Sequence, residues 1–334
     1  MKIVLIGLGS IGTRHVRNLL LLGYNDVSVV SRGGVLPKEF SGLPCYSSLE
    51  NAINKNQFDA AIICTPTAHH LASLAFLLQA NIANIYIEKP VSHTLEKLDE
   101  MVQLAASYTS RIVVGYDLHF DPGMQKVKAL LEDNVIGKVV SVNAQVGQYL
   151  PDWRPQQDYK YGMSACRETG GGVMLDLIHE FDYLMWLIGP VKNIFCQYTN
   201  SGALEIETED VCEVLLQFKN KAIGTIHLDY LQQKLVRNCM ITGYNGSIFW
   251  DLAATNVRWI NSKKEESNFA YKSFERNDRF MAIMKAFLSG ENDDRLTSLQ
   301  AGIESLQLVI AAKYASDNNE FVNPATIKLG ELIA

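Results

Sequence analysis

Three ionisable residues in the middle of the chain have a spacing that suits acid–base chemistry. Asp176, His179 and Asp182 follow one another at intervals of three, so the first two share one face of a helix. An imidazole with an unperturbed pKa of about 6.5 can accept a hydroxyl proton at neutral pH. His179 is therefore the candidate general acid and base, and Asp176 would orient it or contact a substrate hydroxyl. A partly buried helix histidine bonded to a backbone carbonyl is the alternative.

A glycine-rich turn near the N-terminus has the spacing of a dinucleotide-binding site. Gly7, Gly9 and Gly12 follow a short β-branched run and open a helical pattern. In this motif the first glycine permits a tight turn, the second lets the backbone approach a pyrophosphate, and the third allows close helix packing. The phosphates would lie on Ser10 and Ile11 at the helix N-terminus. Glycines that simply end a strand are the alternative.

The end of the second predicted strand, residues 26–31, carries the residues expected to discriminate between nicotinamide cofactors. Proteins that prefer NAD usually place a carboxylate here, on the ribose 2′-hydroxyl. This chain has Ser31 and Arg32 instead, and a hydroxyl and a guanidinium can both hydrogen-bond a 2′-phosphate. We therefore expect NADP as the cofactor, with NAD as the second choice. A solvated loop arginine beside a glycine turn is the alternative for Arg32.

The elements that must position these groups alternate between strand and helix in the first 120 residues. Nearly all-apolar runs at 60–64 and 84–88, separated by a helical stretch at 70–79, are typical of parallel strands buried on both faces. A doubly wound sheet binds ligands at the carboxyl ends of its strands. Thr65-Pro66 and Glu88-Lys89-Pro90 lie at such ends, so we expect both at the cofactor site.

From residue 139 the pattern changes to alternating polar and apolar positions. This alternation predicts an antiparallel sheet with one covered face. The predicted strands are 140–146, 211–218, 222–230 and 237–242, and the predicted helices are 123–134, 171–188, 278–289 and 296–317. The sequence therefore predicts an α/β chain in two domains, a dinucleotide-binding domain over residues 1–120 and an α+β substrate domain over residues 121–334.

A long polar and aromatic segment, residues 148–167, precedes the helix that carries His179. Loops of this length in compact domains are usually functional. Its aromatic rings could stack on a sugar or a base, and its cations could hold a phosphate. We therefore expect a phosphorylated sugar or a nucleotide sugar, and an interface or lid loop with solvated charges is the equal alternative. The rings are Tyr149, Trp153 and Tyr159, and the cations are Arg154, Lys160 and Arg167.

Five segments together resemble the Gfo/Idh/MocA oxidoreductases, the family of glucose-fructose oxidoreductase, inositol dehydrogenase and their relatives. They are GLGSIG at 7–12, TPTAHH at 65–70, EKP at 88–90, GYDLHFDP at 115–122 and GGGVMLDLIHEFDYLMWLIG at 170–189. The resemblance spans more than half the chain, in the family's order. It implies a Rossmann domain followed by an α+β domain whose open, mostly antiparallel sheet serves as an oligomer interface. A homodimer or homotetramer is therefore expected.

The resemblance also implies roles for single residues. The lysine of EKP, here Lys89, is a catalytic residue beside the nicotinamide in that family, and an ammonium can hold a substrate hydroxyl or carbonyl. The bond between Lys89 and Pro90 is implied to be cis. His70 is implied to support the cofactor, and Tyr116 to form a wall of the active site.

The sequence departs from the family pattern at two positions. Relatives place an aspartate four residues before the histidine of the catalytic helix, whereas Asp176 precedes His179 by three. Residue 119, more often arginine in the family, is a histidine here. These departures bear on the role of Asp176 and on what the 115–122 segment contacts.

Composition and charge limit the other function classes. The chain of 334 residues has 30 Lys+Arg and 36 Asp+Glu, a formal charge of −6, and no basic stripe, so we expect no nucleic-acid partner. No apolar stretch reaches the roughly 18 residues of a membrane span, and the N-terminus lacks a signal-peptide pattern. Six scattered cysteines without a CxxC pair predict reduced thiols and no metal site. A cytoplasmic protein without a membrane partner is expected.

Together these features predict a dehydrogenase acting on a secondary hydroxyl or ketone of a small carbohydrate. His179 would take or return the hydroxyl proton, and Lys89 would stabilise the developing alkoxide. The segment at 148–167 resembles that of dehydrogenases found among surface-carbohydrate biosynthesis enzymes. Two alternatives remain. One is a tightly held cofactor that assists elimination or glycoside cleavage, and the other is a cofactor-binding regulator without chemistry.

Overall fold

The computed structural model describes residues 1–330, so the last four residues of the predicted 121–334 domain lie outside the described residues. The strands are β1 (Ile3–Ile6), β2 (Val27–Val30), β3 (Cys45–Tyr46), β4 (Ala60–Ile63), β5 (Asn84–Glu88), β6 (Arg111–Gly115), β7 (Val139–Gly147), β8 (Val191–Thr199), β9 (Val211–Phe218), β10 (Ile223–Asp229), β11 (Val236–Gly243), β12 (Gly246–Asp251), β13 (Asn256–Ile260), β14 (Glu266–Ala270) and β15 (Thr297–Ser298). The α-helices are α1 (Ser10–Leu21), α2 (Leu49–Lys55), α3 (His70–Gln79), α4 (Leu98–Ala106), α5 (Pro122–Glu132), α6 (Val173–Asp176), α7 (His179–Ile188), α8 (Arg276–Ser289) and α9 (Leu299–Asn318).

The first sheet has the strand order β15-β6-β5-β4-β1-β2-β3 and is parallel except for β15. Every residue of β1 and β4 is buried because helices cover both faces of the sheet. The carboxyl ends of β1, β4 and β5 therefore meet at one edge. The predicted doubly wound Rossmann architecture is confirmed.

The second sheet has the order β14-β13-β12-β11-β7-β10-β9-β8, and its strand pairs are antiparallel except for β7 with β10. Burial alternates along β9, since one face lies against the core and the other is open. Helix α9 packs along β8 on the covered side. The predicted open, mostly antiparallel sheet is confirmed, and β8, β12, β13 and β14 extend it beyond the strands read from the sequence.

Residues near the C-terminus return to the first sheet. Helix α8 packs on α1, and β15 pairs with β6. Residues 276–298 thus pack against the first domain or pair with its sheet, although the sequence assigns them to the second domain. The predicted helix at 296–317 begins at Leu299, because the two residues before it form β15. The domain boundary at residue 120 stays a prediction.

The helix predicted over residues 171–188 is wrong in one respect, because the structure interrupts it. Helix α6 ends at Asp176, two residues form a turn, and α7 begins at His179. The carbonyl oxygen of Asp176 accepts a hydrogen bond from the ammonium of Lys89 (2.5 Å) instead of extending the helical ladder. Asp176 and His179 therefore belong to different helices.

Candidate active site

The glycine loop between β1 and α1 leaves room for phosphate groups. Gly7 has φ +94°, and a Cβ there would lie 2.6 Å from the carbonyl oxygen of Cys64. A Cβ on Gly12 would overlap the carbonyl oxygen of Gly7, whereas nothing lies within 4 Å of the Cβ position of Gly9. Helix α1 begins at Ser10 without a side-chain cap or an acidic residue in its first turn. Its free N–H groups, which include Ile11, fit a dinucleotide pyrophosphate.

The loop after β4 is tied to the loop after β5 by a buried histidine. Nδ1 of His70 lies 2.8 Å from the carbonyl oxygen of Pro90, and Nε2 lies 2.9 Å from that of Thr65. Burial lowers the pKa of His70, so the imidazole is neutral and donates to one carbonyl at a time. The hydroxyl of Thr65 is buried and has no partner within residues 1–330, while Pro66 is exposed. Thr65 thus offers a polar atom to a ligand at this edge.

Glu88 lies beneath the glycine loop rather than on its surface. Its carboxylate lies 2.7 Å from Nε2 of His15 on α1 and accepts a hydrogen bond from Tyr86 (3.4 Å). Both Glu88 and His15 are buried. The structure therefore places Glu88 where it joins β5 to α1, and its predicted contact with the cofactor stays a prediction. Sequence reasoning missed His15, although a polar residue on the buried face of α1 was a signal.

The predicted cofactor-selecting residues lie at the carboxyl end of β2, on the same sheet edge. The backbone N–H of Ser31 donates to the carbonyl oxygen of Tyr46 (2.9 Å), which fixes the backbone there. Arg32 is exposed. The structure thus leaves the guanidinium accessible beside the ribose end of the expected dinucleotide site.

Lys89 reaches from the first sheet into the second part of the chain. Its peptide bond with Pro90 is cis, as the resemblance implies. Its Nζ donates to the carbonyl oxygen of Asp176 at the break between α6 and α7. Burial lowers the pKa of Lys89, and the nearby charge of Arg237 acts in the same direction.

His179 stands at the start of α7, 6% exposed. Its Nε2 lies 3.5 Å from Oδ1 of Asp117, and the ring of Tyr116 meets it edge-on at 5.6 Å. Its Nδ1 is buried without a hydrogen-bond partner in the described part of the chain. Burial lowers the pKa of His179 well below its usual value. The imidazole is therefore neutral near pH 7 and able to accept a proton.

Tyr116 lies behind that histidine. The ring is fully buried, and its hydroxyl has no hydrogen-bond partner among residues 1–330. It packs between His179 and His119. His119 itself stacks on Trp186 (4.2 Å) and lies 2.8 Å from Asp182. A substrate contact for Tyr116 stays a prediction, because the structure places the ring in the core.

Asp117 is an acidic group that sequence reasoning missed. Burial by itself would raise its pKa, but Arg279 and His179 outweigh burial, so the pKa of Asp117 lies below its usual range. Nε of Arg279 donates to its Oδ2 (2.8 Å), and the same guanidinium lies 3.6 Å from Asp121. An ionised carboxylate held by an arginine thus faces His179. The signal was the acidic residue inside GYDLHFDP at 115–122.

The carboxylate of Asp176 does not contact His179. It accepts a hydrogen bond from the hydroxyl of Tyr230 (2.6 Å), and Trp153 packs edge-on against that ring at 5.4 Å. The break between α6 and α7 turns Asp176 toward β10 instead. The expectation that Asp176 and His179 share a helix face is therefore wrong, and a catalytic role for Asp176 stays a prediction.

A second buried ion pair borders the site. Arg237 donates two hydrogen bonds, both 2.8 Å, to the carboxylate of Glu180, which is fully buried. The charge of Arg237 lowers the pKa of both Lys89 and His179. Sequence reasoning missed this pair, because Arg237 lies in a strand 57 residues away from Glu180.

The three predicted phosphate-binding cations differ in the contacts they already make. Nζ of Lys160 lies 2.6 Å from Glu205, and Nε of Arg167 donates to the carbonyl oxygen of Glu207 (3.0 Å). A phosphate contact for the three cations stays a prediction, although the carboxylate of Glu205 and the backbone of Glu207 already hold two of them. Arg154 is exposed and has no ion pair within residues 1–330.

The aromatic residues of the same segment are placed differently from one another. The indole N–H of Trp153 donates to the carbonyl oxygen of Gln148 (3.2 Å), so the ring stays beside Tyr230 near the site. The hydroxyl of Tyr159 accepts from the backbone of Glu205 (3.4 Å). Tyr149 is partly buried against the core. Trp153 thus contacts the tyrosine that bonds Asp176.

No helix within residues 1–330 is long and apolar enough to cross a membrane. The same residues contain no group of three His, Cys, Asp or Glu side chains arranged to hold a metal ion.

A dinucleotide loop on a parallel sheet, with Lys89 and His179 next to its strand ends, defines the class of nicotinamide-dependent oxidoreductases. The chain belongs to the GFO/IDH/MocA family. Residues 1–116 match the oxidoreductase family model with an NAD-binding Rossmann fold, and residues 124–249 match the GFO/IDH/MocA C-terminal domain. The protein is an NAD(P)-dependent oxidoreductase.

Similar proteins match this chain over nearly its whole length. The myo-inositol 2-dehydrogenase of Thermotoga maritima is 25% identical and covers 100% of both chains. The WlbA dehydrogenase from Bordetella pertussis, in complex with NADH and UDP-GlcNAcA, has a TM-score of 0.79 at 20% identity over 97% of this chain and 98% of that one. An oxidoreductase from Agrobacterium radiobacter with NAD+, L-tartaric acid and magnesium has a TM-score of 0.82 at 19% identity, over 98% and 99%. The family is thus one of sugar-type oxidoreductases.

Proposed function

We propose that this protein is an NADP-preferring dehydrogenase that interconverts a secondary hydroxyl and a ketone in a carbohydrate derivative. The observation that carries the proposal is the hydrogen bond from Nζ of Lys89 to the carbonyl oxygen of Asp176. Asp176 ends α6, and His179 begins α7 three residues later. The ammonium of Lys89, which follows β5, and the imidazole of His179, at the start of α7, would therefore lie at the same edge of the first sheet as the glycine loop. The pair is suited to holding a substrate oxygen and moving its proton.

The residues of the chain divide the chemistry between them. A bound nicotinamide would accept or supply the hydride. Lys89 donates a hydrogen bond to the substrate oxygen and stabilises negative charge on it. His179 takes the hydroxyl proton during oxidation and returns it during reduction, because burial keeps its imidazole neutral near pH 7. Asp117, held by Arg279, stabilises the imidazolium that forms.

The preference for NADP rests on Ser31 and Arg32. The guanidinium of Arg32 is exposed at the carboxyl end of β2, where a carboxylate would select NAD. A 2′-phosphate would gain a charge-assisted hydrogen bond there. Titration of the protein with NADPH and with NADH tests this, and tighter binding of NADH would overturn it.

We assign the substrate to the sugar phosphates and nucleotide sugars of surface-carbohydrate biosynthesis. Trp153 offers a ring face beside Tyr230 and Asp176 for stacking on a sugar or base. Arg154, which keeps a free guanidinium, supports a phosphate contact from the same segment. Lys160 and Arg167 lend no such support, because Lys160 binds the carboxylate of Glu205 and Arg167 binds the backbone carbonyl of Glu207.

The first experiment follows nicotinamide absorbance with NADP or NAD and a panel of neutral sugars, inositols, sugar phosphates and nucleotide sugars. We expect turnover that is lost in Lys89→Met while NADPH affinity stays unchanged. Turnover of neutral polyols alone would retire the phosphate assignment. A cofactor that stays bound without net turnover would favour redox-assisted elimination. Unchanged activity in Lys89→Met would refute the proposed chemistry.

We also propose that the open face of the second sheet joins copies of this chain into a homodimer or homotetramer. Ile223 and Met240 are 55% and 43% exposed there, on strands β10 and β11. Burying such side chains stabilises association. Light scattering of the double variant Ile223→Glu, Met240→Glu should give a smaller species than the wild type. An unchanged mass would place the interface elsewhere or remove it.

A further inference from the structure

Two arginines at the edge of the site lack a counter-charge. Arg14 lies in α1, just after the glycine loop, and Arg276 is the first residue of α8. Nη1 of Arg14 donates to the side-chain oxygen of Asn277 (3.2 Å), and its guanidinium stacks on Phe280 (4.8 Å). Both contacts are neutral. Arg276 has no hydrogen bond or ion pair with any residue that the structure describes.

The geometry of α8 links these two arginines to Asp117 and His179. Arg276, Arg279 and Phe280 are spaced i, i+3 and i+4, so they share one face of α8. Arg279 on that face binds Asp117, which in turn faces His179. Arg14 stacks on Phe280 of the same face. Arg276 therefore lies one helical turn from Arg279, which holds Asp117, and Arg14 packs on the residue next to Arg279.

Arg276 is exposed to solvent but lies near other cations. Its side chain is open to solvent, yet burial, followed by the charge of Arg14, lowers its pKa. The charges of Arg279 and Arg237 act in the same direction, and Asp117 opposes them. Arg237 and Arg279 are already compensated, since Arg237 binds Glu180 and Arg279 binds Asp117.

Arg14 bonds Asn277, the residue next to Arg276, and neither arginine has a counter-ion in the described part of the chain, so an incoming anion would be stabilised by both charges. We propose that Arg14 and Arg276 bind an anionic group of the substrate, a carboxylate or a phosphate, at the α8 edge of the site. This inference rests on the proposed function, because it names the class of carbohydrate that the Lys89 and His179 pair receives. It also adds an anion contact on α1 and α8 to the one proposed for Arg154 in the 148–167 segment.

Cofactor phosphates are the other source of the same chemistry, since α1 begins at the glycine loop. The experiment therefore measures binding in two stages, first of NADPH to the free protein and then of sugars to the NADPH complex. The sugars are D-glucuronate, D-glucose 6-phosphate and D-glucose, and NADPH fluorescence reports both stages. D-glucose is the matched neutral probe, because it lacks only the charged group.

We expect the wild-type NADPH complex to bind at least one of the two anionic sugars more tightly than D-glucose. Arg276→Met and Arg14→Met should each weaken that binding by about 10-fold to 100-fold, because each loses a charge-assisted contact. Binding of D-glucose and of NADPH should stay unchanged. Arg276→Lys keeps the charge and should recover part of the affinity even if Arg276→Met folds poorly.

Arg17→Met is the control, because Arg17 lies on the same helix and binds Glu39 at the surface. It should bind all three sugars like the wild type. Equal affinities of the three sugars in the wild type would overturn the inference, as would unchanged binding of the anionic sugars in both methionine variants. Weaker NADPH binding in those variants would assign the arginines to the cofactor and overturn it too.

The inference and the proposed function fail in different ways. Selective binding of an anionic sugar without any turnover would leave the arginine site standing and contradict the dehydrogenase. Turnover of a neutral sugar that is unaffected by Arg276→Met would support the dehydrogenase and contradict the arginine site.

Discussion

His179 and His227 both lie beside carboxylates, yet their pKa values move in opposite directions. His179 lies 3.5 Å from Asp117 in the core, and burial lowers its pKa well below the usual value. His227, on the open face of the second sheet, contacts Asp229 (2.9 Å) and Glu213 (2.6 Å), and its pKa rises to about 9. The bond to Asp229 is the main cause of that rise.

The difference shows how one residue type serves two purposes. Desolvation disfavours the charged imidazole, and a carboxylate beyond hydrogen-bond distance offsets only part of that cost. His179 is therefore a neutral base, whereas the directly bonded His227 is a lasting cation that joins β9 to β10. A buried location without a tight partner marks the histidine that is free to move a proton.

The largest test of this contrast replaces each histidine by glutamine. His179→Gln should lower kcat by about 10²-fold to 10⁴-fold, because the general base is lost. His227→Gln should leave kcat within about twofold, since surface substitutions away from the site rarely matter. Steady-state nicotinamide absorbance at saturating cofactor measures both. Equal losses in the two variants would refute the distinction.

The next test compares a buried ion pair with an exposed one. Glu180→Gln leaves Arg237 buried without its partner and should lower the free energy of unfolding by about 3–5 kcal/mol. Glu205→Gln removes the exposed partner of Lys160, and we expect no measurable change, because solvent already screens that pair. Urea unfolding of both variants measures the difference. Similar losses would show that burial does not govern these pairs.

Asp117→Asn sharpens the account of His179 itself. Asp117 raises the pKa of His179 against the larger effect of burial, so its removal should lower that pKa further. Oxidation needs the neutral base and slows as pH falls through this pKa, so the acid limb of the kcat/KM profile should move to lower pH. We also expect a loss of about 10-fold to 100-fold in kcat/KM at neutral pH, because the imidazolium loses its stabilising carboxylate. A lower rate with an unmoved acid limb would assign Asp117 a purely structural role.

The smallest effect concerns the stability that His227 contributes. Because its folded pKa is raised from about 6.5 to about 9, protonated His227 stabilises the fold fully below pH 6.5. That contribution declines as pH rises and is lost above about pH 9. The difference in unfolding free energy between the wild type and His227→Gln should be about 1 kcal/mol or less at pH 6 and vanish at pH 9.5. A difference that does not depend on pH would contradict the assigned pKa.

Much of the fold could be read from local patterns. The all-apolar runs of β4 and β5 predict a parallel sheet because such strands are buried on both faces. The alternation of polar and apolar residues in β9 predicts a sheet with one covered face, because successive side chains of a strand point to opposite faces. The glycine motif and EKP also place Lys89 at the ligand-binding edge, since both follow strands whose carboxyl ends meet.

The site was less predictable, because its contacts join segments that are far apart in the chain. The helix at residues 171–188 has no sequence signal for a break, and the break accompanies a bond from Lys89, 87 residues earlier. Asp117 depends on Arg279, 162 residues later. Lys160 pairs with Glu205, 45 residues away, so its availability to a ligand could not be judged locally.

The sequence by itself determined the alternation of strand and helix in the first domain and the phosphate loop, and the resemblance carried by its motifs singled out Lys89 and His179. Periodicity and glycine spacing act within a few residues, so these features need no knowledge of the rest of the chain. Only the tertiary structure decided which charges are paired, which are buried and which stay free. Ionisation and orientation depend on desolvation and on partners brought from other elements, and folding alone sets both.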